Sequence, residues 1–189
     1  MRRLIFAFAA LFALAAVAKA DEVKVGGDGL YHQDWFLQSF LDLKEDLQEA
    51  ADAGKRLVIL WEQKGCPYCK ELHHVNFVDP AIRKYLQANF VVLQLDVWGA
   101  RPVTDFDGKE MSEKKLARRY GVRFTPTIQF LPATVAATEG KAGKALEVTR
   151  MPGYLEPAPF LIMFRYVREK AYEKTPFRKY LRAEMKRSG

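Results

Sequence analysis

Short apolar runs alternate with amphipathic stretches along this chain. The runs RLVILWE at 56–62 and FVVLQLDVW at 90–98 are almost continuously apolar, which predicts two strands buried on both faces of a sheet. TIQFL at 127–131 and LEVTRM at 146–151 predict two more strands. We expect the last two to form a β-hairpin with a long connector at 132–145.

The stretches between these strands have the spacing of amphipathic helices. Apolar residues recur from Phe36 through Leu43 and Leu47, which predicts a first helix that starts at 36 and ends at Gly54. Five further helices are expected, at 66–75, after the N-cap pair Asp79-Pro80, after the N-cap Ser112, at 157–174 and after Thr175-Pro176.

The order of these elements predicts the fold class. Strand–helix–strand units come before the hairpin, which indicates an α/β fold with a mixed, partly parallel central sheet flanked by helices. The segment 99–111 carries a turn signal at Asp107-Gly108, so we expect a loop or a hairpin there. The sequence contains no internal repeat.

The first twenty residues have the pattern of an export signal. Arg2 and Arg3 precede an apolar stretch of about fifteen residues, and the small residues Ala18 and Ala20, on either side of Lys19, predict cleavage after Ala20. The alternative is an uncleaved membrane anchor. The stretch is short for that role, because a spanning helix needs about 20 apolar residues.

The remaining chain is expected to form one domain at 36–172. An irregular lead-in at 21–35 precedes it, and a basic, solvated helical tail at 173–189 follows it. Loss of the signal segment lowers the formal net charge from +7 to +4. An excess of this size does not require a nucleic acid as partner.

The stretch KGCPYCKELHH contains both cysteines of the chain, Cys66 and Cys69. A structural disulfide is disfavoured, because closing a loop of four residues restricts the unfolded chain very little. A CxxC pair directly after a strand is typical of a redox centre. The competing interpretation is a zinc or copper site that adds His73 and His74, although four ligands from nine consecutive residues would be cramped. The alternative places these histidines at surface helix positions, or one of them against Cys69.

The two cysteines are not equivalent in this interpretation. Cys66 lies where the strand ends and a helix begins, so helix N–H groups and the nearby Lys64 and Lys70 favour its thiolate. Cys69, one turn later, is placed to attack a mixed disulfide formed on Cys66. A third class of function, a chaperone-like binder with incidental cysteines, remains open at this point.

The chain resembles the thioredoxin superfamily in three features that occur in order: the CxxC, the Thr-Pro of GVRFTPTIQF, and Gly153 in MPGYLEP. Over longer segments it looks like the SoxW-type exported thioredoxins of sulfur-oxidising bacteria. The resemblance implies a thioredoxin-like three-layer fold, a nucleophilic Cys66 and a resolving Cys69. It also implies a cis Pro126 and a Thr125 backbone that pairs with extended substrates, beside Pro67 and Tyr68.

The resemblance further implies a thiol–disulfide oxidoreductase that reduces disulfides of periplasmic sulfur-oxidation proteins. Its electrons would come from a membrane thiol donor, and we expect a monomer without cofactor or bound metal. A disulfide oxidant or isomerase is the alternative. The Pro67-Tyr68 pair is familiar from glutaredoxins, and this dipeptide alone does not determine the reduction potential.

One departure from the family concerns the proton acceptor. Typical thioredoxins carry a buried aspartate six residues before the first cysteine, and Leu60 occupies that position here. Glu62, four residues before Cys66, is a candidate proton relay. The competing interpretation is a solvent-facing glutamate at a strand end, since glutamate is rarely buried.

Overall fold

The computed structural model describes residues 23–188, so the expected signal segment at 1–20 lies outside the described residues. The described part contains eight strands: β1 Lys24–Val25, β2 Tyr31–His32, β3 Arg56–Glu62, β4 Phe90–Asp96, β5 Pro102–Thr104, β6 Glu110–Ser112, β7 Thr127–Phe130 and β8 Thr149–Pro152. The α-helices are α1 Leu43–Asp52, α2 Pro67–Glu71, α3 Pro80–Asn89, α4 Glu113–Arg119, α5 Pro157–Arg168 and α6 Phe177–Ser188.

Four strands form the central sheet in the order β4-β3-β7-β8. β3 runs parallel to β4, with Arg56 opposite Phe90, and antiparallel to β7, with Trp61 opposite Thr127. β8 pairs antiparallel with β7. The predicted mixed sheet and its closing hairpin are confirmed.

Alternation along β3 divides the core between the two faces of the sheet. Leu57, Ile59 and Trp61 pack in one buried cluster with apolar residues of α1 and α4. Val58 and Leu60 pack in the other cluster, with residues of α3 and α5. Every residue of β3 is buried, as its continuous apolar pattern predicts. Helices on both faces of the sheet complete the three layers.

The first helix begins later than predicted. It starts at Leu43, because the Asp42 carboxylate accepts hydrogen bonds from the backbone N–H groups of Lys44 and Glu45 and so caps the helix. Leu41 just before it has a φ of 66°, which is incompatible with a continuing helix. The apolar spacing upstream of Leu43 therefore reflects core contacts such as that of Phe36, rather than helical turns.

Other parts of the fold also differ from the sequence-based expectations, including α5, which ends at Arg168 instead of 174. The last strand begins at Thr149 instead of Leu146, and the connector before it contains two short 3₁₀ turns, Val135–Thr138 and Gly143–Leu146. The lead-in is not wholly irregular, since β1 and β2 pair antiparallel. The segment 99–111 contributes the β5–β6 hairpin, which confirms one of its two expected forms.

The basic C-terminal segment is helical, as expected, and one side of it packs against the domain. The Tyr166 ring on α5 lies 5.3 Å from the Phe177 ring and 5.2 Å from the Tyr180 ring of α6. The Tyr166 hydroxyl donates to the carbonyl oxygen of Thr175 at 2.6 Å. Exposed arginines such as Arg178 and Arg182 remain on the other side.

Candidate active site

A three-residue turn at 63–65 connects β3 to Cys66. β3 ends at Glu62, and Gly65 has a φ of 75°, a conformation that a residue with a Cβ rarely adopts. Cys66 follows with extended backbone angles and is the N-cap of α2, where Pro67 occupies the first turn. The predicted strand–CxxC–helix arrangement is confirmed. The helix continues beyond Glu71 as a π-helical turn, Leu72–Asn76.

Cys66 and Cys69 are joined in a disulfide with an S–S distance of 2.11 Å. The backbone N–H of Cys69 donates a hydrogen bond to Cys66 Sγ at 3.1 Å. Both side chains are buried, with exposed fractions of 4% for Cys66 and 2% for Cys69. An N–H donor aimed at a sulfur stabilises a thiolate there when the disulfide opens.

The loop before β7 lies at the same end of the sheet as the disulfide. Trp61 pairs with Thr127, so the residues just after β3 and just before β7 are neighbours. The Thr125–Pro126 peptide is cis, which confirms that expectation. Pro126 is buried, and its carbonyl oxygen accepts from the N–H of Gly153 at 2.7 Å. Thr125 is half-buried.

One rim of the site is aromatic. Tyr68, 61% exposed, stacks on Tyr154 with ring centroids 6.3 Å apart and planes 17° apart. Partial burial raises the pKa of Tyr154, and the charges of Glu156 and Glu71 raise it further. This rim therefore combines apolar surface with negative charge.

Glu62 is buried rather than solvent-facing, with an exposed fraction of 1%. Its Oε2 accepts hydrogen bonds from His73 Nε2 at 3.0 Å and from Gln94 Nε2. The expectation of a surface position is also wrong for His73, which is fully buried. Because a lone buried carboxylate would be strongly destabilising, these two donors explain how Glu62 is tolerated inside the protein.

The hydrogen bonds assign the tautomer of His73. The Gln33 side-chain amide donates to the carbonyl oxygen of His73 at 3.2 Å, so its NH₂ group faces this residue. The same NH₂ lies 3.3 Å from His73 Nδ1, which must then be an acceptor. The ring proton is consequently on Nε2, where it points at Glu62. We call Glu62, His73, Gln94 and Gln33 the Glu62 network.

One atom of this network has no partner. Glu62 Oε1 is buried and makes no hydrogen bond among the described residues. His73 follows Cys69 by four residues, a spacing that puts both on one side of a helix. That spacing was visible in the sequence and could have pointed to His73. Gln33 and Gln94 come from distant segments, and no sequence pattern indicated them.

The arrangement does not assemble the four-ligand metal set. Cys66 and Cys69 are bonded to each other, His73 donates to Glu62, and His74 is exposed with its ring 5.5 Å from the Tyr31 ring. Within residues 23–188, no group of three or more His, Cys, Asp or Glu side chains is placed to hold a metal ion.

No helix in the described part of the chain is long and apolar enough to cross a membrane. A family model for thioredoxin-like domains matches residues 43–168. Among solved structures, a thioredoxin-fold protein from Helicobacter pylori superposes with a TM-score of 0.55 at 19% identity. The match covers 77% of this chain and 96% of that one, and it supports the fold.

Two curated relatives are similar in sequence. They are the thiol:disulfide interchange proteins DsbD of two Vibrio vulnificus strains, each 28% identical over 120 residues. The match covers 64% of this chain but 17% of theirs, so the chain spans about a sixth of the length of these relatives.

Proposed function

The chain belongs to the thioredoxin-like family, and we propose that it is an exported thiol–disulfide oxidoreductase that reduces disulfides of periplasmic proteins. The observation that carries this proposal is the Cys66–Cys69 disulfide at the end of β3, at the same sheet end as the cis Pro126. Similarity to proteins named for thiol:disulfide interchange supports it. The resemblance to SoxW-type proteins suggests sulfur-oxidation proteins as the substrates.

The first step requires the reduced dithiol form. The Cys66 thiolate attacks one sulfur of the substrate disulfide, which forms a mixed disulfide with Cys66 and breaks the substrate S–S bond. The departing substrate thiolate takes up a proton. Hydrogen bonding from the Cys69 N–H to Cys66 Sγ favours the thiolate that this step consumes.

The second step releases the substrate. The Cys69 thiol loses its proton, and its sulfur attacks Cys66 Sγ, which re-forms the Cys66–Cys69 disulfide and frees the second substrate thiolate. Two electrons have then moved from the protein to the substrate. A membrane thiol donor would restore the dithiol by the reverse exchange.

Glu62 is the proposed acceptor of the Cys69 proton. Its Oε2 already accepts from His73 and Gln94, whereas the buried Oε1 makes no hydrogen bond among the described residues. A carboxylate oxygen that lacks a donor, held rigidly in a buried site, is suited to accept a proton. The Glu62 network would thus replace the family's aspartate, whose position Leu60 occupies.

Substrate contacts are proposed for the residues that border the disulfide. Pro67 and Tyr68 are exposed next to the cysteines. The backbone of Thr125, next to the cis proline, would hydrogen-bond an extended substrate segment in the manner of an added strand. Such main-chain pairing supplies affinity with little dependence on the substrate sequence.

The deciding experiment is the equilibrium reduction potential of Cys66–Cys69 in defined thiol buffers, with metal removed. A value at or below about −230 mV supports a reductase, whereas one above about −150 mV indicates an oxidant or isomerase. Absence of a reversible two-electron transition would refute the redox function. Binding of stoichiometric metal by the reduced protein would then favour a carrier.

A further inference from the structure

A groove with a volume of about 440 Å³ lies beside the redox site. The end of β4, the C-terminal turn of α4 and the loop before β7 form its walls. We call it the Trp98 groove and define it by Gln63, Trp98, Arg118, Arg123, Phe124 and Thr125. Gln63 belongs to the turn before Cys66 and Thr125 precedes the cis proline, so these two residues link the groove to the proposed active site.

Two large aromatic side chains in the groove are exposed. Trp98 is 61% and Phe124 is 66% exposed, which is unusual in a protein whose other large apolar residues are mostly in the core. Trp98 is held in place, because its Nε1 donates to Gln63 Oε1 at 2.9 Å and the Lys114 ammonium lies 4.8 Å from its ring centre. A fixed aromatic side chain loses little entropy on binding, which suits an anchor site.

The charge of the groove is positive. Its lining includes Arg118 and Arg123 and contains no acidic residue. Within residues 23–188 neither arginine forms an ion pair, whereas other arginines do, such as Arg101, Arg119 and Arg150. An exposed guanidinium pair beside apolar surface is complementary to carboxylates, which it can bind in a bidentate manner.

The aromatic rim of the site, formed by Tyr68 and Tyr154, has acidic groups beside it instead. There Tyr68 stacks on Tyr154, and Glu71 and Glu156 act on the Tyr154 hydroxyl. A substrate with carboxylates on one side of its disulfide would therefore be attracted in one orientation and repelled in the other.

We propose that the Trp98 groove binds a protein substrate segment that places an apolar side chain and neighbouring acidic residues on one side of its disulfide. The apolar side chain contacts Trp98 and Phe124, and the carboxylates contact Arg118 and Arg123. This inference rests on the proposed function and specifies the class of substrate.

The test separates recognition from redox chemistry. Two peptides share one apolar anchor and differ only in two flanking residues, which are aspartate in one and lysine in the other. With serine in place of both peptide cysteines, their dissociation constants for the full oxidised chain are measured at low and high salt. We expect the acidic peptide to bind about tenfold more tightly at low salt, with a smaller difference at high salt.

Charge reversal supplies the matched control. The variant Arg118→Glu, Arg123→Glu should bind the lysine peptide more tightly than the aspartate peptide. The variant Arg178→Glu, Arg182→Glu makes the same change in net charge on α6, outside the groove, and should keep the wild-type preference.

Equal affinity of the two peptides for the wild-type protein would overturn the proposal. So would an equal loss of preference in both double variants, because net charge alone would then explain the binding. Reduction of hydroxyethyl disulfide, which is small and uncharged, is followed in parallel with the reduced protein. Failure of that reaction would count against the redox function. The peptide affinities would still test whether the Trp98 groove prefers acidic segments.

Discussion

The Glu62 network and the Trp98 groove include the neighbouring residues Glu62 and Gln63, just before the CxxC, and they stabilise charge in different ways. In the network, a carboxylate that is 1% exposed receives hydrogen bonds from His73 and Gln94, so its charge is stabilised within the fold. In the groove, Arg118 and Arg123 are exposed and have no ion-pair partner within residues 23–188. A buried charge needs internal partners, whereas an exposed one is stabilised by water until a ligand binds. Stability and proton transfer should therefore be separable from recognition.

The largest effect is expected on stability when the network loses its histidine. His73→Ala removes one of the two donors to Glu62 and leaves a cavity, so we expect the free energy of unfolding to fall by about 3–5 kcal/mol. Urea unfolding measures it. The neighbouring His74 is exposed, and His74→Ala should change the stability by less than about 0.5 kcal/mol. Similar losses in the two variants would show that the Glu62 contact is unimportant.

The next effect concerns the second chemical step. Glu62→Gln preserves the shape of the side chain but removes the proposed proton acceptor, so the mixed disulfide on Cys66 should resolve about a hundredfold more slowly. Rapid quenching with acid follows its decay, and alkylation of Cys66 reports the first step, which should be unchanged. Glu71→Gln alters an exposed carboxylate of α2 and is the control. Resolution at the wild-type rate in Glu62→Gln would exclude Glu62 as the acceptor.

The surroundings of the CxxC and the Glu62 network differ in how far the sequence predicts them. Local rules were sufficient for the strand before the CxxC, and for the helix caps at Asp79 and Ser112, whose side chains accept from backbone N–H groups as expected. The positions of the two cysteines and of the cis Pro126 followed from short motifs and from the family resemblance. In each case the structure depends on interactions between residues close in the chain, or on a motif that the thioredoxin superfamily shares.

The Glu62 network depended on contacts between distant segments. Gln33 is 40 residues from His73 and Gln94 is 32 residues from Glu62, so no short pattern connects them. Residue type is misleading as well, because glutamate is almost never fully buried without a partner. The late start of α1 has a local cause instead: Asp42 caps the helix, and the apolar pattern before it fits irregular chain equally well.

Asp46 on α1 has a buried carboxyl group that, unlike Glu62, has no histidine among the described residues as hydrogen-bond donor. Burial raises its pKa to about 6 from an ordinary 3.8, against the hydrogen bond from the Ser39 hydroxyl. The folded protein keeps this proton up to about pH 6, whereas the unfolded chain releases it near pH 4, so stability falls as the pH rises through that window.

Asp46→Asn retains an oxygen that can accept from Ser39 and removes the titration. Its unfolding free energy, relative to wild type, should therefore increase by about 1–2 kcal/mol between pH 4 and pH 7, after allowance for solvent screening. Urea unfolding at several pH values measures the difference. A difference that does not change with pH would mean that Asp46 titrates alike in both states.

The smallest effect is expected in the groove, where stability is not involved. Phe124→Ala removes an aromatic contact from the surface that the proposed substrate covers, so KM for a disulfide peptide with an apolar anchor and aspartates should rise about threefold. kcat and the free energy of unfolding should stay close to wild type, because the ring is 66% exposed. Phe40 is fully exposed and does not line the groove, so Phe40→Ala is a control of the same chemistry. If both variants raised KM equally, the loss would reflect general surface hydrophobicity, and Phe124 would have no particular role in recognition.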